Sequence, residues 1–386
     1  MEQLINPRVK DIQISGIRRF YNLVADKEDM ISLTIGQPDF PTPQHVKAAG
    51  IEAIQSNQTT YTPNAGLLTL RHAIRDFYSK YASVYDAADE IIVTVGASQA
   101  IDITLRTILQ PGDEVILPGP VYPGYEPLIT LAGGTPVLAD TTANGFKLTR
   151  SILEQYITPK TKCIILPYPS NPTGVTLTYE ELKDIADFLA EKDLFILSDE
   201  IYSELTYDKD HVSIAGFPQV RDKSIVINGL SKSHSMTGWR IGFTLAPAWL
   251  SKHMLKVHQY NATCATSISQ YAALEALTNG LDDPGEMREA YRQRRDYCLG
   301  RLDKMGLTVE KPNGAFYILP KFPIKQMTSL ELGLSLVEKV GLAIVPGDAF
   351  SKFGEGYMRI SYAYSMEELA EGMDRLERYL QSNTLL

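Results

Sequence analysis

Residues 224–246 read Ser224-Ile-Val-Ile-Asn-Gly-Leu-Ser-Lys-Ser-His-Ser-Met-Thr-Gly-Trp-Arg-Ile-Gly-Phe-Thr-Leu-Ala246. The apolar runs at its two ends read as buried strands, and the small polar residues between them as a loop pinned at a sheet edge. Lys232 sits in that loop, with Arg240 eight positions on. Poor solvation and a nearby guanidinium both disfavour an ammonium and favour the free amine. A free amine forms a Schiff base with an aldehyde, and Arg240 with the Ser231 hydroxyl suits a phosphate. Together these residue types describe a site for pyridoxal phosphate. On their own they leave equally open a surface lysine in a Ser/Gly loop.

The chain has 386 residues, 44% hydrophobic and 22% charged, enough for two domains, or one large domain with an appendage, around a sizeable core. The formal net charge of -9 argues against a phosphate-backbone partner, so no nucleic acid is expected. No apolar run approaches the length of a membrane span. The stretch Met1 to Pro7 lacks the charged and apolar regions of a signal peptide, and a cytoplasmic location is expected. Cys163, Cys264 and Cys298 are odd in number and widely spaced, which reads as reduced residues and neither a disulfide nor a metal set. Neither G-x-G-x-x-G nor G-x-x-x-x-G-K-[ST] occurs, which argues against a Rossmann dehydrogenase and a P-loop nucleotide enzyme.

Upstream of the lysine loop, predicted strands and helices alternate. Leu194 to Tyr202 reads as a strand with Asp199 near its end, where a carboxylate after four apolar residues needs a cation. Glu200 is a rival carboxylate. Lys162 to Leu166 is a predicted strand that runs into an Asn171-Pro-Thr-Gly174 turn, and ligands in open α/β sheets gather at such strand ends. Glu114 to Leu117 is another, followed by a Pro/Gly-rich loop with Tyr122 and Tyr125. Ile91 to Val95 turns at Gly96 towards a helix predicted over Ala100 to Leu109. Backbone N–H groups of Ala97, Ser98 and Gln99 would there face an anion. Ile31 to Phe40 reads as a strand ending in a turn at Gly36. Helices are predicted from His45 to Gln55 and from Leu67 to about Tyr81, with Tyr61 on the loop between. Residues 1 to 30 carry only a weak apolar rhythm at Ile12, Ile14, Ile17 and Phe20, fit for an arm lying on another surface.

Downstream, one long helical region is predicted from about Ala248 to Leu277 and a charged helix from 285 to 305. Apolar segments at 315–319, 342–345 and 357–362 then alternate with short helices. Thr178 with Glu181, and Ser365 with Glu368, form capping boxes. Arg359 lies on the last predicted strand and, by residue type alone, reads as a strand-edge arginine.

The lysine loop resembles the signature Ser-Lys-x-x-x-Met-x-Gly-Trp-Arg-x-Gly of class I aminotransferases, within the aspartate-aminotransferase-like fold. The resemblance runs along nearly the whole chain in the family's order. It implies an α/β fold, pyridoxal-phosphate enzyme fold type I, with a large domain on a mostly parallel sheet flanked by helices and a smaller α/β domain. It implies that Lys232 carries pyridoxal 5'-phosphate and that Ser231, Arg240 and the turn at Ala97, Ser98 and Gln99 hold its phosphate. Tyr122 would stack on the ring, Asp199 would face the ring nitrogen, and Asn171 and Tyr202 would reach the phenolate oxygen. Arg359, with Asn171 and the Gly36 backbone, would take the substrate α-carboxylate. Tyr61 would reach the phosphate of a partner subunit, making a homodimer with shared active sites. Many members have a hydroxyl three residues before the lysine; here Gly229 stands there, so one phosphate ligand is missing or replaced.

The expected activity is transfer of an α-amino group from an amino acid to a 2-oxo acid. The expected division is 1–42 as arm and part of the small domain, 43–279 as the large cofactor domain, and 280–386 as the small domain. Ile17 could line the pocket, and Arg18 or Arg19 could read a distal carboxylate. Within the family the chain resembles the bacterial aminotransferase A group, associated with N-acetyl-LL-diaminopimelate in lysine synthesis. The competing readings are a C–S β-lyase or decarboxylase on the same fold, a non-catalytic cofactor-binding regulator, and a structural paralogue that binds no cofactor.

Overall fold

Among the residues described (1–24, 27, 29–81, 85–324 and 327–382 of a computed structural model), twelve strands form three sheets. They are β1 (Ile31–Ser32), β2 (Ile91–Thr94), β3 (Glu114–Gly119), β4 (Thr135–Asp140), β5 (Thr161–Leu166) and β6 (Phe195–Asp199), followed by β7 (Ser224–Gly229), β8 (Gly242–Leu245), β9 (Tyr317–Ile318), β10 (Leu342–Ala343), β11 (Val345–Pro346) and β12 (Met358–Ser361).

The seven-stranded sheet runs β2-β8-β7-β6-β5-β3-β4. Its central strands are unbroken apolar runs because both faces are covered. In β5, Cys163 and Ile165 pack in one core cluster with Ile101 and Leu250, while Ile164 and Leu166 pack in another with Ile185 and Leu189. Each such fully buried aliphatic side chain contributes roughly 1.5–3 kcal/mol. Only β8 runs against its neighbours β7 and β2, with Gly242 opposite both Gly229 and Thr94. The carboxyl ends of β2, β3, β5, β6 and β7 therefore share one edge of the sheet, and the reversed β8 begins there. That places the loop between β7 and β8 at this edge.

The C-terminal part builds a smaller sheet, β11-β12-β9, all antiparallel, and β1 pairs in parallel with β10. Leu33 is buried with Leu336, Met373 and Leu376, so the N-terminal segment belongs to the core of this part. A helix over Gly16–Val24 buries Phe20 and Val24 with Val337 and Ala343.

Helices Gln44–Gln55, Leu68–Tyr78 and Pro284–Lys304 lie where the apolar spacing predicts them. Both capping boxes form; Glu181 and Thr178 bond reciprocally, as do Glu368 and Ser365. Several predicted bounds differ: the helix expected to reach about Tyr81 ends at Tyr78, and the strand expected to run from Ile31 to the turn at Gly36 covers only Ile31–Ser32. The long helical region is two helices, Ala248–Ala262 and Ser267–Thr278, separated at Thr263, whose φ of +63° leaves the helical region. The helix after β2 begins at Gly96 and not at Ala100. Strand β6 ends at Asp199, after which Ser203 N–H closes a turn on the Glu200 carbonyl at 2.8 Å. Among the described residues no helix is long and apolar enough to cross a membrane.

Candidate active site

The shared strand edge opens into a cavity of about 940 Å³, bounded on its far side by the helix Gly16–Val24 and by β12. Of the residues that the sequence singles out, Ala97, Ser98, Tyr122, Asn171, Asp199, Tyr202, Ser231, Lys232, Arg240, Gly36, Arg359 and Ile17 all line it. Gln99 does not; its side-chain oxygen accepts from Val95 N–H at 2.7 Å, which fixes the turn from below. Tyr61 does not either, being 86% exposed on its loop.

Lys232 follows β7 in a short helical turn, Leu230–Ser233, and its Nζ donates to the Gly36 carbonyl at 2.6 Å. Burial first, then the charges of Arg359 and Arg240, push its ammonium down to about 8, so the free amine is accessible near neutral pH. The rings of Tyr202 and Phe316 lie 5.8 and 5.7 Å from Nζ.

Asp199 is buried at the end of β6. Burial pushes its carboxyl up to about 6, against hydrogen bonds from Tyr125 Oη at 2.7 Å and Ile201 N–H at 3.2 Å. A buried carboxylate so supplied with donors suits a cation in the cavity. Tyr122 meets Tyr125 edge-on, with centroids 5.5 Å apart, and presents a partly exposed ring to the cavity. Glu200, the rival carboxylate, is 0% exposed and does not line the cavity. Tyr78, Ser198, Ser213 and His211 all bond to it, so it is a structural anion behind the sheet.

The helix after β2 presents its N-terminus at Gly96, and Arg240 brings a guanidinium to the same place. A Cβ at Gly96 would lie 2.9 Å from Arg240 Cζ. Two positive features converge on one spot beside Ser98 and Ser231, a cradle that suits a phosphate-sized dianion. At Gly229 a Cβ would sit 2.8 Å from the Ile241 carbonyl oxygen. The close β7–β8 pairing thus excludes the hydroxyl side chain that many relatives of this motif carry there. Thr237 supplies a hydroxyl-bearing side chain to the cavity lining instead.

Arg359 is 2% exposed. Its Nη1 donates to Asn171 Oδ1 at 2.9 Å and its Nη2 to the Thr34 carbonyl at 2.5 Å, while Nε is buried without a partner. The guanidinium lies 4.4 Å from the Tyr317 ring centroid and 4.9 Å from that of Phe350. Burial lowers its pKa. No carboxylate pairs with it among the described residues, so a buried cation faces the cavity awaiting an anion. Tyr317 also bonds to Tyr202, Oη to Oη at 2.9 Å, and closes over Gly36, where a Cβ would meet its Oη at 2.5 Å.

Tyr125, Tyr317, Thr34 and Gly96 contact the residues singled out by sequence, Asp199, Tyr202, Arg359 and Arg240 respectively, and the sequence reading assigns them no role of their own. For Tyr125 a signal existed, since it shares the β3 loop with Tyr122; the other three depend on contacts across the fold.

The sequence matches the family described as aminotransferase class I and II over residues 28–376. A Bacillus subtilis (strain 168) protein named "Probable N-acetyl-LL-diaminopimelate aminotransferase" is 62% identical over 381 residues, covering 98% of this chain and 96% of that protein. A solved Pyrococcus structure, protein A1, superposes with a TM-score of 0.95 at 43% identity, covering 98% of this chain and 99% of the other. A double mutant of Thermus thermophilus aspartate aminotransferase superposes at 0.92 with 37% identity, over 97% and 99%. The fold is thus that of the aspartate aminotransferases, fold type I, and neither the lyase, the decarboxylase nor the regulator reading is favoured by these relatives.

Proposed function

The chain belongs to the class I and II aminotransferases, and from that premise we propose that it uses pyridoxal 5'-phosphate on Lys232, with N-acetyl-LL-diaminopimelate as amino donor and 2-oxoglutarate as acceptor. The enzyme moves an α-amino group from an amino acid to a 2-oxo acid. The observation that carries the proposal is Lys232 itself. Its amine, part-buried at the shared strand edge, donates to the Gly36 carbonyl at 2.6 Å in a cavity that Arg240, Arg359 and Asp199 also line, and burial with the two arginine charges pushes its ammonium down to about 8.

Pyridoxal 5'-phosphate, when bound, supplies an aldehyde for the amino group and a ring that takes up the electron pair left at Cα. The residues fit that group. Arg240, Ser98, Ser231 and the N–H groups at Ala97 to Gln99 would hold its phosphate. Asp199, steadied by Tyr125, would hold a proton on the ring nitrogen. Tyr122 would cover one face of the ring, and Asn171 and Tyr202 would donate to its phenolate oxygen. Arg359 and Asn171, already hydrogen-bonded to each other, would orient the substrate carboxylate. Lys232 Nζ would take the proton from Cα and return it on the other side of the nitrogen.

We extend the proposal to a homodimer in which Tyr61 serves the neighbour's phosphate. Tyr61 and Tyr260 are 86% and 88% exposed, and Asn64 ties the Tyr61 loop to Thr263 at 2.8 Å, just past the helix that carries Tyr260. Two such exposed aromatic side chains suit a partner surface. Domain limits of 1–42 with 280–386, and 43–279, are part of the same proposal, supported by the burial of Leu33 among C-terminal residues. So is a cytoplasmic location, which three free cysteines suit.

The test is a half-reaction screen. Each amino acid, N-acetyl-LL-diaminopimelate included, is mixed with the cofactor-loaded enzyme, and loss of the absorbance of the lysine imine is followed. The diamino acid derivative should react fastest with glutamate close behind. Fast reaction of neutral or aromatic amino acids with none from either acid would overturn the substrate assignment.

A further inference from the structure

A phenol carries one O–H donor and two acceptor lone pairs, so Tyr202 has a single proton to give. In the proposed function, on which this inference rests, that proton goes to the phenolate oxygen of the cofactor. Tyr317 places its own hydroxyl 2.9 Å from the Tyr202 hydroxyl, and both side chains line the cavity. We infer that Tyr317 is a positioning residue that donates to Tyr202, so that the two hydroxyls form a relay running from Tyr317 through Tyr202 to the phenolate, and that this relay sets how readily the lysine imine gives up its proton. A hydroxyl that receives a hydrogen bond is polarised by it and donates more strongly in turn.

The smaller sheet fixes the Tyr317 ring. Tyr317 lies on β9 opposite Ser361 of β12, and Arg359, two residues before Ser361, is on the same face of that strand. The Arg359 guanidinium stands 4.4 Å from the Tyr317 ring centroid, the Phe316 ring centroid is 4.8 Å away, and the Tyr202 ring meets Tyr317 edge-on at 5.9 Å. The hydroxyl end sits over Gly36, where a Cβ would come within 2.5 Å of Oη, so only the bare backbone leaves room for it. Burial pushes the hydroxyls of both Tyr202 and Tyr317 up, so both keep their protons. With the Tyr202 proton committed to the phenolate, the contact between the two oxygens requires the Tyr317 proton; otherwise lone pairs would face each other. A protonated imine nitrogen hydrogen-bonds the phenolate beside it, and once that proton leaves, the phenolate depends on Tyr202. A stronger Tyr202 bond favours the exposed anion and lowers the pH at which the imine takes up its proton.

The experiment titrates the absorbance of the lysine imine against pH in the cofactor-loaded enzyme. It compares wild type, Tyr317→Phe, Tyr202→Phe, the double variant, and protein with fluorotyrosine placed at position 317. Phenylalanine keeps the ring against Arg359 and removes only the hydroxyl. Tyr317→Phe should raise the midpoint by about half to one pH unit, the size of one neutral hydrogen bond. In the Tyr202→Phe background the same change should add nothing, because the relay has already lost its second member. Fluorotyrosine has the more acidic hydroxyl, donates more strongly, and should move the midpoint down. A role in packing alone would lower the melting temperature of the cofactor-free chain and leave the midpoint in place. An unmoved midpoint in Tyr317→Phe, an equal shift with and without Tyr202, or no downward shift with fluorotyrosine would overturn the relay while leaving the proposed function standing. If Tyr317→Phe does not fold, the sign of the fluorotyrosine shift decides. A wild-type enzyme that forms no imine with pyridoxal 5'-phosphate would overturn both.

Discussion

The guanidinium of Arg240 rests on the backbone of Gly96, so close that no side chain fits there: a Cβ would come within 2.9 Å of Cζ. Gly96 also holds φ at +76° as the first residue of its helix. A helix N-terminus and a guanidinium repel unless an anion lies between them. Gly96→Ala should therefore push Arg240 aside and weaken pyridoxal 5'-phosphate binding by about 1.5–3 kcal/mol, the worth of a charged hydrogen bond, or roughly ten- to a hundred-fold. Cofactor titration by absorbance reads this directly. An unchanged affinity would detach Arg240 from the phosphate.

Asp199→Asn should have opposite effects on stability and on rate. The folded carboxyl is pushed up to about 6 from an ordinary 3.8. A carboxyl raised by folding binds its proton more tightly in the native state, so the cofactor-free chain loses stability as pH rises from about 4 through about 6. A shift of this size corresponds to about 3 kcal/mol at neutral pH. The variant should therefore unfold at higher temperature than wild type at pH 7.5, with the gain fading towards pH 4. Its single-turnover rate should fall, because an amide cannot hold a pyridinium proton by charge. Thermal unfolding at several pH values, beside stopped-flow rates, checks both halves.

Arg359→Lys should weaken amino-acid binding by about 1.5–3 kcal/mol while the cofactor spectrum stays as it is. A lysine cannot span Asn171 Oδ1 and the Thr34 carbonyl at once as the guanidinium does. Amines lacking a carboxylate should bind as before. If they suffer equally, the arginine is not the carboxylate anchor.

Tyr61, exposed in the single chain, should be needed across a subunit boundary. Lys232→Ala and Tyr61→Ala chains, unfolded and refolded together, should regain roughly a quarter of wild-type sites, because a mixed two-fold dimer rebuilds one intact site out of two. Activity no higher than the mean of the separate variants, with mixed dimers shown by mass, would place Tyr61 in its own chain's site.

What could be read in advance was whatever lies within one continuous stretch. The lysine loop, the turn after β2, Asn171 and Asp199 each follow a strand, and strand ends share an edge once the strands are parallel. Pairings across the sheet were hidden. Tyr125 meets Asp199 across 74 residues and Arg359 meets Asn171 across 188, and neither contact has a local pattern. The absent hydroxyl at Gly229 was visible, but its cause, the Ile241 carbonyl 2.8 Å from where a Cβ would stand, belongs to strand pairing. Glu200 and Asp199 are adjacent in an apolar context, and only alternation about the sheet sends one to the cavity and the other to Tyr78 and His211. The break at Thr263 lies in its left-handed backbone, φ +63°, and Thr carries no turn signal of the kind that Gly or Pro gives.

The most direct test of the account is chemical trapping at Lys232. The cofactor-loaded enzyme is reduced with borohydride, digested, and its peptides mapped by mass. The account predicts a single reduced phosphopyridoxyl adduct on the peptide that contains Lys232, absent from Lys232→Ala protein that remains folded. An adduct on another lysine, with the Lys232 peptide unmodified, would contradict it.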